Sequence, residues 1–430
     1  MPTAASTSVR FFQRLLDGGL TLEDLEARLA PRTDDVPPAF PAGARVSDEI
    51  LEKRWRRVRE RAPDAEAVLR DAWTRERTER YGGNIENFVG TVKLPVGVAG
   101  PLRVNGLFAR GDYLVPLATT EAALVASYHR GARLLSAAGG CSAALLNESV
   151  NRTPAFAFRN LAEAGRFVHW VLSRLERFQG LVEASSRYAK LVDVGFMGEG
   201  NHVYLNFQFH TGDAAGQNMV TIATQRIFDD ILEHAPVRPA EAYVEGNLSG
   251  DKKASAQAFN TVRGKKVSAE AVLTPELVHK FLHVTPRAMA DYWKMSAVGG
   301  ILSGTLGIQG HYANGLAALF IATGQDAACV AESATGVTRF EVNEDGALYA
   351  AVTLPNLVVG TVGGGTGLPT QRACLEILGL AGPGRAGAFA EVCGALLLAG
   401  ELSIIGAMAA GHFTRAHQKL ARTGKPEGAG

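Results

Sequence analysis

Val392 to Met408 is the most apolar stretch of the chain and the one that most restricts its fold. A helix that is apolar on every side has to be surrounded, by lipid or by protein. A membrane span needs roughly 20 mostly apolar residues, and this stretch is interrupted by Glu401 and by several glycines. The expectation is a buried helix. At 430 residues the chain has room for two or three structural units around it. Hydrophobic residues at 47% and charged residues at 20% are ordinary for a soluble globular protein. A formal net charge of +1 gives no electrostatic footprint for nucleic acid or an anionic membrane. Cys141, Cys329, Cys374 and Cys393 form no CxxC pair, so neither a zinc site nor a redox motif is indicated, and such sparse thiols fit a reducing cytoplasm. The N-terminus has no basic-then-apolar signal pattern. Glycine falls heavily in the second half among apolar residues, which suggests tight backbone approaches there.

Val9 to Ala30 reads as a helix, with a capping box at Thr21-Leu22-Glu23-Asp24. Pro31, Pro37, Pro38 and Pro41 mark a linker. A charged helix starts near Ser47 and runs through Trp55 and Val58, its Arg and Lys excess reading as a solvated face. After a strand-like Tyr113-Leu114-Val115, Thr119 or Thr120 is a natural N-cap for a helix burying Leu124, Tyr128 and Leu135. That places Glu121 in the first turn, where the macrodipole favours the ionised carboxylate. A general acid there needs burial or a second carboxylate to raise its pKa.

From Pro154 to Tyr243 the pattern is helix (Leu161 to Leu175), strand (Val203 to Phe209), helix (Ala214 to Leu232), expected as a small α+β unit inserted into a larger one. Small residues in Thr211-Gly212-Asp213-Ala214-Ala215-Gly216-Gln217-Asn218-Met219 leave free N–H groups for an anion where the second helix starts, or simply cap it. Ser185-Ser186-Arg187 offers a hydroxyl and a guanidinium. Gly264 to Ala271 and Leu354 to Val359 read as strands. The run Gly360 to Gly367 lacks the lysine of a P-loop. Gly382 to Gly387 matches GxGxxG, but a helix precedes it and no acidic residue follows at the required distance, so it reads as a loop. Asp326 falls just past a helical C-terminus and opposes the macrodipole, a local inconsistency of the kind that marks functional sites. His412 and His417 lie roughly 140° apart on a helix, so no metal pair is expected.

Gly246-Asn247-Leu248-Ser249-Gly250-Asp251-Lys252-Lys253 sets two ammonium groups beside one carboxylate. By itself it is either a solvated turn or a loop that aims a lysine at an anion or a polarised carbonyl. Together with Glu86-Asn87, Pro95 to Leu102, Ala118-Thr119-Thr120-Glu121, Gly212 to Met219, Gly324-Gln325-Asp326, Gly360 to Thr366 and Ala410-Gly411-His412 with His417, it resembles the 3-hydroxy-3-methylglutaryl-coenzyme A (HMG-CoA) reductases. The resemblance runs from about Glu86 to His417. The Asp-Lys-Lys loop makes it similar to the catalytic part of the class I enzymes and not to class II.

The resemblance implies an α/β (α+β) fold: a large acyl-CoA-binding domain around a central helix, at 46–153 and 244–420, with a ferredoxin-like NADPH-binding domain inserted at 154–243. Residues 1–45 would be an N-terminal helical segment and linker, and 421–430 a flexible tail. It implies a cytoplasmic homodimer or higher homo-oligomer with active sites between subunits, and reduction of HMG-CoA to mevalonate and CoA by two hydride transfers. Lys252 matches the cation at the carbonyl oxygen, Glu121 the proton donor, and Asp326 a carboxylate between them that keeps Glu121 protonated. His417 matches the residue that protonates the departing thiolate. Arg152, Asn247, Asp251, Lys253, Lys294 and Asn314 match the substrate side. Asp213, Ala215, Gly216, Gln217 and Asn218 match the nucleotide side, and Ser186 and Arg187 the 2′-phosphate contacts that favour NADPH over NADH. No metal is implied. Two positions depart from the pattern: Glu245 stands where class I enzymes bind substrate with a serine, and Ala254 replaces the proline after the lysines. Glu245 is expected to turn outward or to pair with a lysine. The alternatives are the same chemistry on another branched acyl-CoA, or in the oxidative direction, and a CoA-thioester binding protein without turnover.

Overall fold

The computed structural model describes residues 18–31 and 37–411. Contacts divide the chain between Thr91 and Val92, not at residue 45 where the prolines end.

In the first unit, Thr21 and Asp24 cap Leu22–Leu29 reciprocally, as the capping box requires. Residues 18–20 are turn and coil, and 9–17 lie outside the described residues. Ser47 caps helix α1 (Asp48–Arg59) by accepting the Ile50 N–H. The solvated-face reading holds for Arg56 but not for Arg54, which is fully buried. Arg54 donates to the carbonyls of Pro41, Gly43 and Phe88 at 3.0, 2.7 and 3.0 Å. Burial lowers its pKa from the ordinary arginine value. Trp55, also fully buried, donates to Val89 O at 3.0 Å. Two neighbours on one helix thus gather the proline-rich segment and the stretch near residue 88.

The second unit contains, among the described residues, β1 (Val96–Gly106), β2 (Arg110–Ala118), β3 (Cys141–Arg152), β4 (Ala155–Ala157), β5 (Lys190–Glu199), β6 (His202–His210), β7 (Glu241–Tyr243), β8 (Gly264–Leu273), β9 (Gly307–Ile308), β10 (Gly336–Val342) and β11 (Leu348–Leu357). β3 belongs to two sheets. Ser142 to Ser149 pairs antiparallel with β8, and Val150 to Arg152 pairs with β6. The larger sheet runs β2-β1-β3-β8-β11-β10-β9, antiparallel except where β1 meets β3 and β10 meets β9, and the smaller runs β7-β4-β6-β5, antiparallel throughout. The helices that matter here are α2 (Leu124–Ala137), α3 (Leu161–Leu172), α4 (Leu175–Glu183), α5 (Gln217–His234), α6 (Pro286–Ser303), α7 (Tyr312–Thr323) and α8 (Ala386–Ala409).

The smaller sheet carries α3, α4 and α5 and has its own aromatic core of Phe156, Phe158, Phe167, Phe178, Phe207 and Phe209. The sequence reading found α3, β6 and α5. It ran α3 on to Leu175, although the helix ends at Leu172 and α4 starts after Ser173-Arg174. It also missed β5, where Gly195, Gly198 and a register shift between Leu191 and Asp193 blur the alternation.

α8 is the apolar stretch, and it is buried from Ala388 to Ala407 apart from Ile404. It is the one helix among the described residues long and apolar enough to cross a membrane, and here protein surrounds it. It packs on α2, where a Cβ on Gly131 would lie 1.8 Å from the Ala399 carbonyl oxygen. Only glycine fits there. The two acids of α8 are receptors for backbone. Glu391 accepts the N–H groups of Leu107, Phe108, Ala109 and Leu145 at 2.7–3.2 Å. Glu401 accepts those of Gly310 and His311 and the Thr338 hydroxyl.

Glu391→Ala leaves four backbone donors without their acceptor and empties a fully buried site, and is expected to cost about 3 kcal/mol or more. Denaturant melts check this against Glu344→Ala, an exposed control that is expected to stay within ~0.5 kcal/mol of the parent.

Candidate active site

The loop after β7 is fixed from inside by Glu245. Its Oε1 accepts the Thr153 hydroxyl at 2.8 Å, the Asn247 N–H at 2.8 Å and the Ser249 hydroxyl at 3.2 Å. Its Oε2 lies 3.5 Å from the Arg152 guanidinium. The expectation that Glu245 turns outward or meets a lysine is therefore wrong. Asn247, at φ 63, folds the loop back over the end of β3, where the donors are Arg152 and Thr153.

Arg152 also donates to the Thr221 hydroxyl of α5 at 2.9 Å and to Asp251 at 2.8 Å. The other Asp251 oxygen meets the buried Arg263. Burial pushes the Asp251 carboxyl up, but Arg152, Arg263 and Lys252 outweigh it and leave its pKa below the ordinary value. Lys253 is exposed and donates to the Asp251 carbonyl at 2.8 Å.

Lys252 sits at φ 58, left-handed for a non-glycine residue. Its ammonium is 2.8 Å from Asp326. Its backbone N–H donates to Glu332 Oε1 at 3.1 Å. The hydrogen bond that Lys252 donates to Asp326 raises the Lys252 pKa against a smaller desolvation cost. Both partners are about two-fifths exposed, so the pair adds little stability. What it adds is present below the ordinary lysine pKa and is lost as pH rises through the raised one. The clash expected between Asp326 and a helix end is not there. Gly324 ends α7, and Asp326 begins the next turn by accepting the Ala328 N–H at 3.0 Å.

Glu121 is not in a first turn either. α2 starts at Leu124 with Ala123 as its N-cap, and Thr119 instead accepts the Glu121 N–H at 3.0 Å. The exposed Glu121 carboxylate accepts from the Asn314 amide at 2.9 Å, in the first turn of α7. Asp326 lies beyond the other end of that twelve-residue helix, which spans ~18 Å. One chain therefore presents two clusters, Lys252–Asp326 and Glu121–Asn314, at opposite ends of α7. The expected contact between Glu121 and Asp326 is not made within a chain. Lys294 is exposed on α6, 3.6 Å from Asp291. His417 and His412 lie outside the described residues.

On the nucleotide side, two glycine-rich runs share a seam. Thr361 N–H donates to the Asp213 carbonyl at 2.8 Å, and a Cβ on Gly360 would lie 2.5 Å from the Ala215 nitrogen. The Asp213 carboxylate accepts the N–H groups of Gly384 and Ala386 at 2.7 and 3.1 Å. The GxGxxG match is thus the entry to α8, and its amides already hold a protein carboxylate. Gly216 is the N-cap of α5, whose first turn carries no side-chain cap. Gln217 donates to the Cys329 sulfur at 2.7 Å, and Asn218 is exposed. The Ser186 hydroxyl accepts the N–H groups of Tyr188 and Ala189, and Arg187 extends over the Tyr188 ring. Pairing of Lys190 with His210 brings that turn to the same sheet end as the Thr211–Gly216 loop.

Residues 50–422, a span that includes every candidate site residue, match the family model of hydroxymethylglutaryl-coenzyme A reductase. The chain belongs to this family. It is 46% identical over 352 residues to the 3-hydroxy-3-methylglutaryl-coenzyme A reductase of Pyrococcus horikoshii, covering 80% of this chain and 85% of that one. With the enzyme of Methanocaldococcus jannaschii it shares 42% over 344 residues, 79% and 85% of the two chains. The class II reductase of Streptococcus pneumoniae, solved with NADPH bound in open conformations, shares the fold: TM-score 0.61 at 19% identity, over 85% and 87% of the chains. The chain is an oxidoreductase that reduces HMG-CoA to mevalonate.

Sequence reasoning missed Arg263, Thr221, Cys329 and Glu332. Arg263 precedes its strand by one residue, and Glu332 sits in the four-residue helix Val330–Ser333, so neither carries a periodic signal. Asp326→Asn is expected to lower the Lys252 titration midpoint, because the charged hydrogen bond that raises it is lost. NMR of the reductively methylated protein, with Lys252→Arg for assignment, measures it.

Proposed function

We propose that this reduction uses NADPH and takes place where the Lys252–Asp326 end of one chain meets the Glu121–Asn314 end of another. The observation that carries the proposal is the ammonium of Lys252, held at 2.8 Å by Asp326 on a loop whose partners come from β3, the residue ahead of β8 and the segment after α7. Both reductive steps, thioester to hemithioacetal and aldehyde to alcohol, build negative charge on a carbonyl oxygen. A fixed cation there stabilises the transition state, and losing such a donor typically costs about 3–4 kcal/mol. NADPH, when bound, supplies the hydride. Glu121 donates a proton at the carbonyl oxygen, and His417 protonates the departing CoA thiolate. Arg152 and Asp251 hold the loop, with Asn247, Lys253, Lys294 and Asn314 toward the acyl group.

The unit with connectivity β4-α3-α4-β5-β6-α5-β7 and sheet order β7-β4-β6-β5 is our ferredoxin-like NADPH domain. The uncapped first turn of α5 suits a phosphate, and exposed Arg187 suits the 2′-phosphate. The remainder, with α8 at its centre, is the acyl-CoA domain. Identity of 42–46% to the archaeal enzymes, against 19% to the class II structure, supports the class I reading of the Asp-Lys-Lys loop. Sparse thiols, all four of them unpaired, favour a cytoplasmic enzyme.

Two observations support a homodimer. The two clusters lie apart in one chain. The helix that bears Lys294 also exposes Met295, Val298, Ile301 and Leu302, the last 83% exposed. A contiguous apolar face of this kind marks a contact surface.

Lys252→Met is expected to lower kcat by about 10²–10³-fold while the KM for NADPH stays within twofold. Mixing Lys252→Met with Glu121→Gln, each inactive alone, is expected to restore roughly a quarter of the parent activity after subunit exchange, since half the dimers then carry one intact site. No recovery, with exchange verified by tagged subunits, places both residues in one chain's site. Arg187→Ala is expected to raise the KM for NADPH about tenfold, one charged contact, and to leave that for NADH unchanged.

A further inference from the structure

We propose that Glu332 is the positioning residue of the reactive lysine, holding the Lys252 backbone so that its ammonium points toward Asp326 and the reacting carbonyl. The inference rests on the proposed role of Lys252 and adds a residue that does not itself touch the substrate.

Glu332 is 1% exposed and stands six residues after Asp326. Its Oε1 takes the Lys252 N–H at 3.1 Å. The left-handed region is unfavourable for any residue other than glycine, so Lys252 needs an external hold to keep φ 58. The segment from Asp326 to Glu332 grips it twice, by the ammonium from Asp326 and by the amide from Glu332. The second carboxylate oxygen is 3.4 Å from Nε of Arg263, which is equally buried and whose terminal nitrogen holds Asp251, the residue before Lys252. Arg263 Nε and Nη1 and Glu332 Oε2 make no hydrogen bond. Charge, not fitted geometry, joins this pair, and its hold on the loop depends on Glu332 being ionised.

The charged and titratable groups facing Glu332 are Arg263 ahead of β8, Asp251 in the loop and Cys329 in the preceding turn. The Cys329 thiol is pushed up to about 12 and stays neutral. Burial pushes the Glu332 carboxyl up to about 7 against the pull of Arg263. Below that pH the carboxylate is lost, and with it the stronger charge-assisted acceptor for the Lys252 N–H.

The test compares the full-length parent with Glu332→Gln, which keeps an acceptor oxygen and removes the charge, and with Glu332→Ala, which removes both. The expected result is a parent kcat that falls as pH drops through about 7. Glu332→Gln is expected to lose that limb and about tenfold in kcat, and Glu332→Ala about a hundredfold, the cost of an ångström-scale misplacement. The KM for NADPH stays within twofold in both. Kinetics are normalised to the folded fraction by circular dichroism. The proposal is overturned if Glu332→Gln, folded, keeps the parent's kcat and acid limb, which would leave Glu332 as a mere counter-charge for Arg263. It is equally overturned if the kcat losses only track the folded fraction. Should Glu332→Ala not fold, the near-isosteric Gln variant and the parent pH profile still decide. Lys252→Met run alongside separates the layers: if it turns over normally, the role of the lysine fails; if it is inactive while the Glu332 variants are normal, only this inference fails.

Discussion

Asp251 sits between two guanidiniums, and the arrangement around it depends on that. One oxygen meets Arg152 at the end of β3 and the other meets Arg263 ahead of β8. These strands run side by side in the larger sheet, so the carboxylate closes a bridge between neighbouring strand ends. Desolvating three charges is costly, and a well-packed apolar cluster would serve stability at least as well. What the ionic cluster supplies is direction. A planar guanidinium fixes a carboxylate in orientation as well as place, and Asp251 is covalently followed by Lys252. Glu245 adds to this by receiving three donors of its own loop and its neighbour strand. A serine there has one oxygen with which to do it, so the carboxylate reads as reinforcement of the loop and not as repulsion of an incoming anion.

α8 plays the same part on a larger scale. The polar side chains with which a helix buried this completely organises what surrounds it are its two acids and Ser403, whose hydroxyl accepts from Arg130 and bonds Ser127, both on α2. Glu391 gathers the β1–β2 turn and the Leu145 position of β3. Glu401 gathers the entry to α7, the helix whose ends carry Asn314 and lead to Asp326. Burial pushes the Glu401 carboxyl above its ordinary pKa, while the His311 and Gly310 amides and the Thr338 hydroxyl pull it back. The helix is thus hydrophobic scaffold along its length and a backbone receptor at two points.

Much of this was legible in the sequence because it is local or ordered along the chain. The capping box at Thr21, the start at Ser47, strand β8 and the buried apolar helix follow from spacing and composition. The Asp-Lys-Lys loop, Gly324-Gln325-Asp326 and the glycine runs carry the resemblance by their order. Partnerships were not legible. Glu121 was placed in a helix because Thr119 and Thr120 look like caps, whereas the chain takes a left-handed residue at Ala123 first and Thr119 turns its hydroxyl to Glu121. Asp326 looked opposed to a helix dipole because the turn that follows it is only three residues long. Arg54 looked solvated because its neighbours are charged, yet what buries it comes from 13 residues before and 34 after. Burial of a charge depends on contacts distant in sequence, and no window of residues encodes them.

The same distance dependence ties the two sheets together chemically. α5 begins at the proposed nucleotide loop, where Gln217 donates to Cys329, three residues before Glu332. One turn further on, the hydroxyl of Thr221 receives Arg152 and donates to the Gln217 carbonyl. A single helix therefore touches both sides of the lysine loop, Asp251 through Arg152 and the Asp326–Glu332 segment through Cys329. Hydrogen bonds keep to donor–acceptor distances of about 2.7–3.2 Å and near-linear angles, so a shift of α5 by about half an ångström along its axis would strain both contacts together. The small sheet cannot move as a rigid body relative to the large one without the lysine loop registering it, because β3 joins the sheets covalently and α5 reaches the Asp326–Glu332 segment through Gln217.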